Sequence, residues 1–176
     1  MPDLPRTLAR SWSSTLKLPK STFPARVTPA DRTKYLQRCT DDLYAWQQRE
    51  RPASQSFVLH DGPPYANGDL HIGHALNKVL KDIICRVQLG LGKRIRYVPG
   101  WDCHGLPIEL KALEAQKELQ GQEHNGPVSA ALVRKAARKL ADRTVKAQMK
   151  GFRSFAVMAD WENHWKTMDK AFEKRQ

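Results

Sequence analysis

At 176 residues the chain is long enough for one domain with a substantial core, or for part of a larger one. Its formal net charge of +12, from 30 Lys and Arg against 18 Asp and Glu, favours polyanionic partners such as nucleic acid, nucleotides or acidic membranes. No apolar run approaches the length of a bilayer span, so a soluble protein is expected, and three unevenly spaced cysteines (Cys39, Cys85, Cys103) support neither a disulfide framework nor a zinc site.

The first thirty residues stand apart. Arg6, Arg10, Lys17, Lys20 and Arg26 face one acid, Asp3, among many Ser and Thr, and Leu4, Leu8, Trp12 and Leu16 recur every four residues. An Arg- and Ser-rich, acid-poor, amphipathic stretch has the composition of a mitochondrial transit peptide. Pro2, Pro5 and its shortness point instead to a basic arm. Prolines make 18–24 ("LPKSTFP"), followed by Pro29, an extended connector. Residues 30–49 then read as one helix capped by Asp31 or Thr33, with Tyr35, Leu36, Cys39, Leu43 and Trp46 at helical spacing.

Residues 56–60 ("SFVLH") are a short apolar run with the look of a buried strand, and 61–68 ("DGPPYANG") form a loop punctuated by Gly62, Pro63, Pro64 and Gly68. A helix starts near Asp69, carries Ile72, Leu76, Val79, Leu80, Ile83, Ile84 and Val87 on one apolar face, and ends at Gly90 and Gly92. A second strand (94–98), a second loop (99–105) and a second helix (106–119) with Pro107 in its opening turn follow. After an interruption at 120–127, a basic helix runs from about Ser129 to Lys150, its stripe Val133, Ala137, Leu140 and Ala141 suited to packing on a sheet. Residues 155–158 ("FAVM") suggest a third strand, and Trp161 and Trp165 a core or domain edge. Strand, loop, helix, repeated, is a βαβ pattern with a parallel sheet.

In such sheets ligands bind beyond the carboxyl ends of the strands, where both unusual loops fall, so the loops are expected to face one crevice. His71 and His74 lie three residues apart at the start of the first helix, where unpaired amides and the positive end of the dipole suit phosphate. The dipole disfavours an imidazolium there, and a bound polyphosphate favours it. Gly73 between them lets a flat group approach the backbone. The plain alternative is a solvated histidine pair; a metal pair lacks a third ligand at useful spacing. Asp102, with Trp101 and His104 between Gly100 and Gly105, can accept from a ligand ammonium or hydroxyl, or serve only an Asx turn or helix cap. Glu109 lies in the first turn of the next helix, where complementing its dipole is the plain role. Arg134, Lys135, Arg138, Lys139, Arg143, Lys146 and Lys150 make either a solvated face or an RNA-facing surface.

These residues resemble a known family. "HIGH" (71–74), following a strand and "PPYANG", is similar to the first ATP-binding motif of class I aminoacyl-tRNA synthetases, and "HDGPPYANG" with "GWDCHGLPIE" (100–109) resembles the isoleucyl-tRNA synthetase branch. The resemblance extends from about Trp12 to "ADWENHWKTMD", and its basic start is similar to mitochondrial, fungal-type members. It implies an α/β fold: the first part of a Rossmann-like nucleotide-binding domain with parallel strands, preceded by a basic extension and a helix. The implied division is a basic extension, transit peptide and connector at 1–29, an amino-terminal helix at 30–55, the first half of the catalytic domain at 56–160, and at 161–176 the start of the region leading to an editing insertion.

The resemblance further implies that His71 and His74 are catalytic, contacting the ATP phosphates and stabilising the pentavalent α-phosphate, with Gly73 under the adenine and Asn67 completing the ATP-binding set. Gly62, Pro63 and Tyr65 border the amino-acid pocket, Asp102 binds the substrate ammonium, and His104 lies nearby. The partners implied are isoleucine, ATP with Mg2+, and tRNA(Ile), without a protein-bound metal or a membrane, in a monomer of the mitochondrial matrix or, alternatively, the cytoplasm. The family's "KMSKS" loop, the second half of the nucleotide fold, the editing domain and the anticodon-binding helices have no counterpart in the 176 residues. The chain is therefore expected to be an amino-terminal part of the catalytic domain, inactive alone. The alternative is a non-catalytic ATP- or tRNA-binding truncated module.

Overall fold

The computed structural model describes residue 22, residues 26–120 and residues 129–176. The stripe Leu4–Leu8–Trp12–Leu16, most of the 18–24 connector and nearly all of the 120–127 interruption lie outside the described residues.

Helices α1 (Pro29–Cys39) and α2 (Asp41–Glu50) replace the single helix expected over 30–49. Thr40 breaks it: its backbone leaves helical geometry at φ −120° and ψ −90°, while its hydroxyl donates to the Leu36 carbonyl at 2.8 Å. Arg86 reaches across to the Cys39 carbonyl at 2.9 Å, satisfying an acceptor that the break leaves free. Pro29 belongs to the helix rather than the connector. It occupies the first turn, where its missing N–H is no loss, and Thr28, not Asp31 or Thr33, is the cap, accepting from the Asp31 amide at 3.1 Å.

Strand β1 (Ser56–Leu59), helix α3 (Ile72–Gly90) and strand β2 (Arg94–Tyr97) form the predicted βαβ unit, with β1 and β2 parallel and Ser56 opposite Arg94. The outer edge of β2 is closed by a side chain. Gln47 of α2 is buried, donates to the Ile95 carbonyl at 3.0 Å and accepts from the Ile95 amide at 2.8 Å, as a neighbouring strand would.

Residues 99–105 are not wholly loop. Gly100–Trp101 form β3, paired in parallel with β4 (Trp165–Lys166). Helix α4 (Leu106–Gln120) follows, then α5 (Ala130–Ser154) capped by Ser129, and a short α6 (Lys170–Glu173). The apolar stripe of α5 packs against α4 rather than on a sheet. Nor is 155–158 a strand. Ala156 sits at φ 61°, its carbonyl accepts from Arg86 at 3.0 Å, and the Met158 amide donates to Asp82 at 2.7 Å, so side chains take the groups a ladder would need. Val157 and Met158 are nevertheless core, with Tyr97, Trp101, Ile108 and Phe152.

Helix α3 reverses the ordinary polarity of an amphipathic helix. Lys78, Asp82, Cys85 and Leu89 are buried, whereas Ile72, Leu76, Val79, Leu80, Ile83, Ile84 and Val87 are exposed. The expected apolar face exists, and among the described residues nothing covers it.

Candidate functional site

Helix α3 begins at Ile72, later than the sequence pattern suggests, and this turns His71 into the N-cap. Its Nδ1 accepts from the Gly73 amide at 3.1 Å, and in return the His71 amide donates to His74 Nδ1 at 3.4 Å. With both Nδ1 atoms accepting, the hydrogen-bond network assigns the proton of each neutral ring to Nε2. The rings lie 3.9 Å apart between centroids at 32°. Burial, then the neighbouring His71 and Lys78, hold the His74 pKa below the ordinary histidine range, so this ring is neutral near pH 7. The space above Gly73 is already used: a Cβ there would lie 3.0 Å from two His71 ring atoms. Glycine at this position therefore permits the capping geometry itself.

The two loops lie side by side, as expected. The Ala66 amide donates to the Asp102 carbonyl at 2.8 Å and the Asp102 amide to the Pro64 carbonyl at 3.0 Å, which makes Tyr65 and Asp102 bridge partners. Gln148 of α5 ties them further, accepting from the Trp101 indole at 3.0 Å and donating to the Gly68 carbonyl at 2.8 Å. At Gly105, φ is +117° and a Cβ would collide with the Tyr65 hydroxyl, so only glycine lets Tyr65 cross from one loop onto the other.

Pro63, Asp102 and His104 line one cleft of about 820 Å³, together with His60, Trp165 and Thr167. His71 and His74 are outside that lining. Asp102 does make an Asx turn, accepting from the His104 amide at 3.3 Å, and the Thr167 hydroxyl donates to the same oxygen at 3.5 Å. His104 is exposed, 3.9 Å from Glu173. Gly62 is held from below by Lys81, whose ammonium donates to its carbonyl at 3.4 Å. Asn67 Oδ1 is buried and has no hydrogen-bond partner among the described residues, which leaves it an unused acceptor.

Beneath the loops lies a group that periodicity alone did not single out. Asp61 is fully buried and accepts from Lys78, from Lys81 at 2.8 Å, from the Tyr97 hydroxyl at 3.2 Å and from the Gly100 amide at 3.1 Å. Burial pulls its pKa up, but the Lys78 ammonium and the converging donors outweigh that and hold it below the usual carboxylate range. Burial likewise draws Lys78 down against the opposing pull of Asp61. Four donors converge on this one carboxylate and keep it ionised. The signal in the sequence was a lysine pair on a helix otherwise rich in aliphatics, and an acid just past a strand end.

A family model for class I tRNA synthetases (I, L, M and V) matches residues 35–176. The mitochondrial isoleucine–tRNA ligase of Schizosaccharomyces pombe is 47% identical over 165 residues, covering 93% of this chain and 16% of its own length. That of Gallus gallus is 46% identical over 170 residues, covering 94% and 16%. The isoleucine–tRNA ligase of Gloeobacter violaceus is 45% identical over 167 residues, again covering 94% and 16%. This chain thus spans about one-sixth of the length of these relatives. A solved ternary complex of LeuRS, tRNA and LeuAMS from Agrobacterium radiobacter K84 superposes with a TM-score of 0.56 at 19% identity, covering 80% of this chain and 16% of that one, which is a likeness of fold.

Proposed function

The chain belongs to the class I tRNA synthetases (I, L, M and V), and from that premise we propose that it supplies the opening part of a site that activates isoleucine with ATP and joins it to tRNA(Ile). In the reaction, an isoleucine carboxylate oxygen attacks the α-phosphorus, pyrophosphate leaves, and isoleucyl-adenylate forms. A terminal hydroxyl of tRNA(Ile) then attacks the acyl carbon and AMP leaves.

One observation carries the reading. At the N-terminus of α3, two adjacent, mutually tilted imidazoles keep Nδ1 engaged with the backbone amides and leave Nε2–H as a donor that no described residue takes up. Two preorganised donors at the positive end of a helix stabilise charge as it develops on a pentavalent phosphorus, with no covalent step asked of the protein. Asn67 and Gly73 complete the ATP side, and the unpartnered Oδ1 of Asn67 supports its place there. Asp102 receives the isoleucine ammonium in the cleft that Pro63 and His104 also line, with Gly62 and Tyr65 bordering the amino-acid side from outside that lining. Mg2+ enters with the triphosphate as part of the substrate.

Residues 56–160 are accordingly taken as the first half of the Rossmann-like catalytic domain, 30–55 as its helical lead-in and 161–176 as the approach to an editing insertion. The basic stretch 1–29, together with mitochondrial relatives, favours delivery to the mitochondrial matrix.

The test is isoleucine-dependent ATP–pyrophosphate exchange by the intact protein. His71→Ala removes one donor and the cap, and exchange is expected to fall by about two to three orders of magnitude. Near-normal exchange in that variant would remove His71 from the chemistry.

A further inference from the structure

Apart from Arg134, which is exposed, the basic residues of helix α5 fall into two groups. Arg138 and Arg153 are engaged, with Glu173 and Asp41 respectively. Lys135, Lys139, Arg143, Lys146 and Lys150 are all exposed, and none of them forms an ion pair among the described residues. Their spacings of four, four, three and four residues place the five on one face, opposite the buried Ala137, Ala141, Val145, Gln148 and Phe152. At 1.5 Å per residue the row extends for roughly 22 Å. The one acid of the helix, Asp142, is taken up by Lys166 at 2.9 Å. Like charges three or four residues apart destabilise a helix, so such a row is a local liability that a polyanion would relieve.

We propose that this face of α5 is a phosphate-tracking surface for RNA, and, resting on the ligase reading above, that it holds the backbone of the substrate tRNA. A straight row of cations with no aromatic among them grips phosphates rather than reading bases. An acidic membrane fits less well: a helix that lies in a lipid interface buries its apolar side there, and that of α5 is committed to the core.

The experiment uses the intact protein and the triple variant Lys139→Gln/Lys146→Gln/Lys150→Gln. Affinity for tRNA is followed by filter binding across salt concentrations, with isoleucine-dependent pyrophosphate exchange measured in parallel. Three lost phosphate contacts lower the slope of log affinity against log salt by roughly 2–3, so the advantage of the unaltered protein shrinks about 20- to 40-fold between about 50 and 200 mM salt. Exchange, which needs no tRNA, stays unchanged. The same three positions changed to Arg keep the original slope, separating charge from a folding defect. An unchanged slope with exchange intact overturns the surface and leaves the ligase reading standing. Absence of isoleucine-dependent exchange in the unaltered protein overturns the ligase reading instead, and the slope still decides the surface. Binding of the unaltered chain to phosphatidylserine vesicles but not to tRNA would also overturn the proposal.

Discussion

Lys78→Met is the most informative single change, because it strips the buried cation from Asp61 without altering helix propensity much. Lys78 is 1% exposed and Asp61 equally so. Removing one partner of a buried pair typically costs about 3–5 kcal/mol, since the other charge stays behind uncompensated. Lys81 still reaches Asp61 at 2.8 Å, with Tyr97 and the Gly100 amide beside it, which places the expected loss near the lower bound, about 3 kcal/mol. Urea unfolding of the chain reads the loss, and a cycle with Asp61→Asn isolates the coupling. The double variant should lose much less than the sum of the single losses. The acid limb gives a second check. The Asp61 pKa is depressed in the fold, so its contribution is present above the ordinary carboxylate value of about 4 and is lost as pH falls through the folded value below that. Lys78→Met should flatten this limb. A loss under about 1 kcal/mol, or additive single changes, would refute the account of Asp61 as a charge held by Lys78.

Two further outcomes follow from burial. The uncovered aliphatic face of α3 should make the 176-residue chain bind the dye ANS and associate as its concentration rises, and Leu80→Lys/Ile83→Lys should reduce both without lowering the melting temperature; dye binding unaffected by the pair would mean the face is covered. The thiols should separate cleanly with Ellman's reagent, Cys39 reacting at once and Cys85 and Cys103 only on unfolding, since Cys39 is exposed and burial pushes the other two up to about 12 and about 11. Because both folded values are raised, the stability from these neutral thiols is complete below about pH 8.5 and is lost as pH rises towards the folded values, so the alkaline limb should steepen there.

Much of the architecture was legible in the residue order. The alternation of short apolar runs with helical periodicity determined the βαβ unit, and the concentration of Gly, Pro and His after a strand determined where the loops and the histidine pair would fall. The spacing His71–Gly73–His74 carried the site because capping is local: every atom in that hydrogen-bond exchange comes from four consecutive residues. What tertiary structure alone decided was non-local. Periodicity assigns residues to a face but does not say which face meets a neighbour, so α3 buries Lys78 and Asp82 and leaves its aliphatics outside. Those buried charges are tolerable because Asp61, 17 residues before Lys78, and the Met158 amide, 76 after Asp82, supply partners from elsewhere in the chain, with Arg86 of the same helix pairing Asp82 at 2.7 Å. The same holds for "FAVM", whose apolar composition suits a strand but whose backbone groups are claimed by Arg86 and Asp82. Local chemistry wrote the loops and caps; the pairing of distant charges, which depends on where the chain returns, decided what lies beneath them.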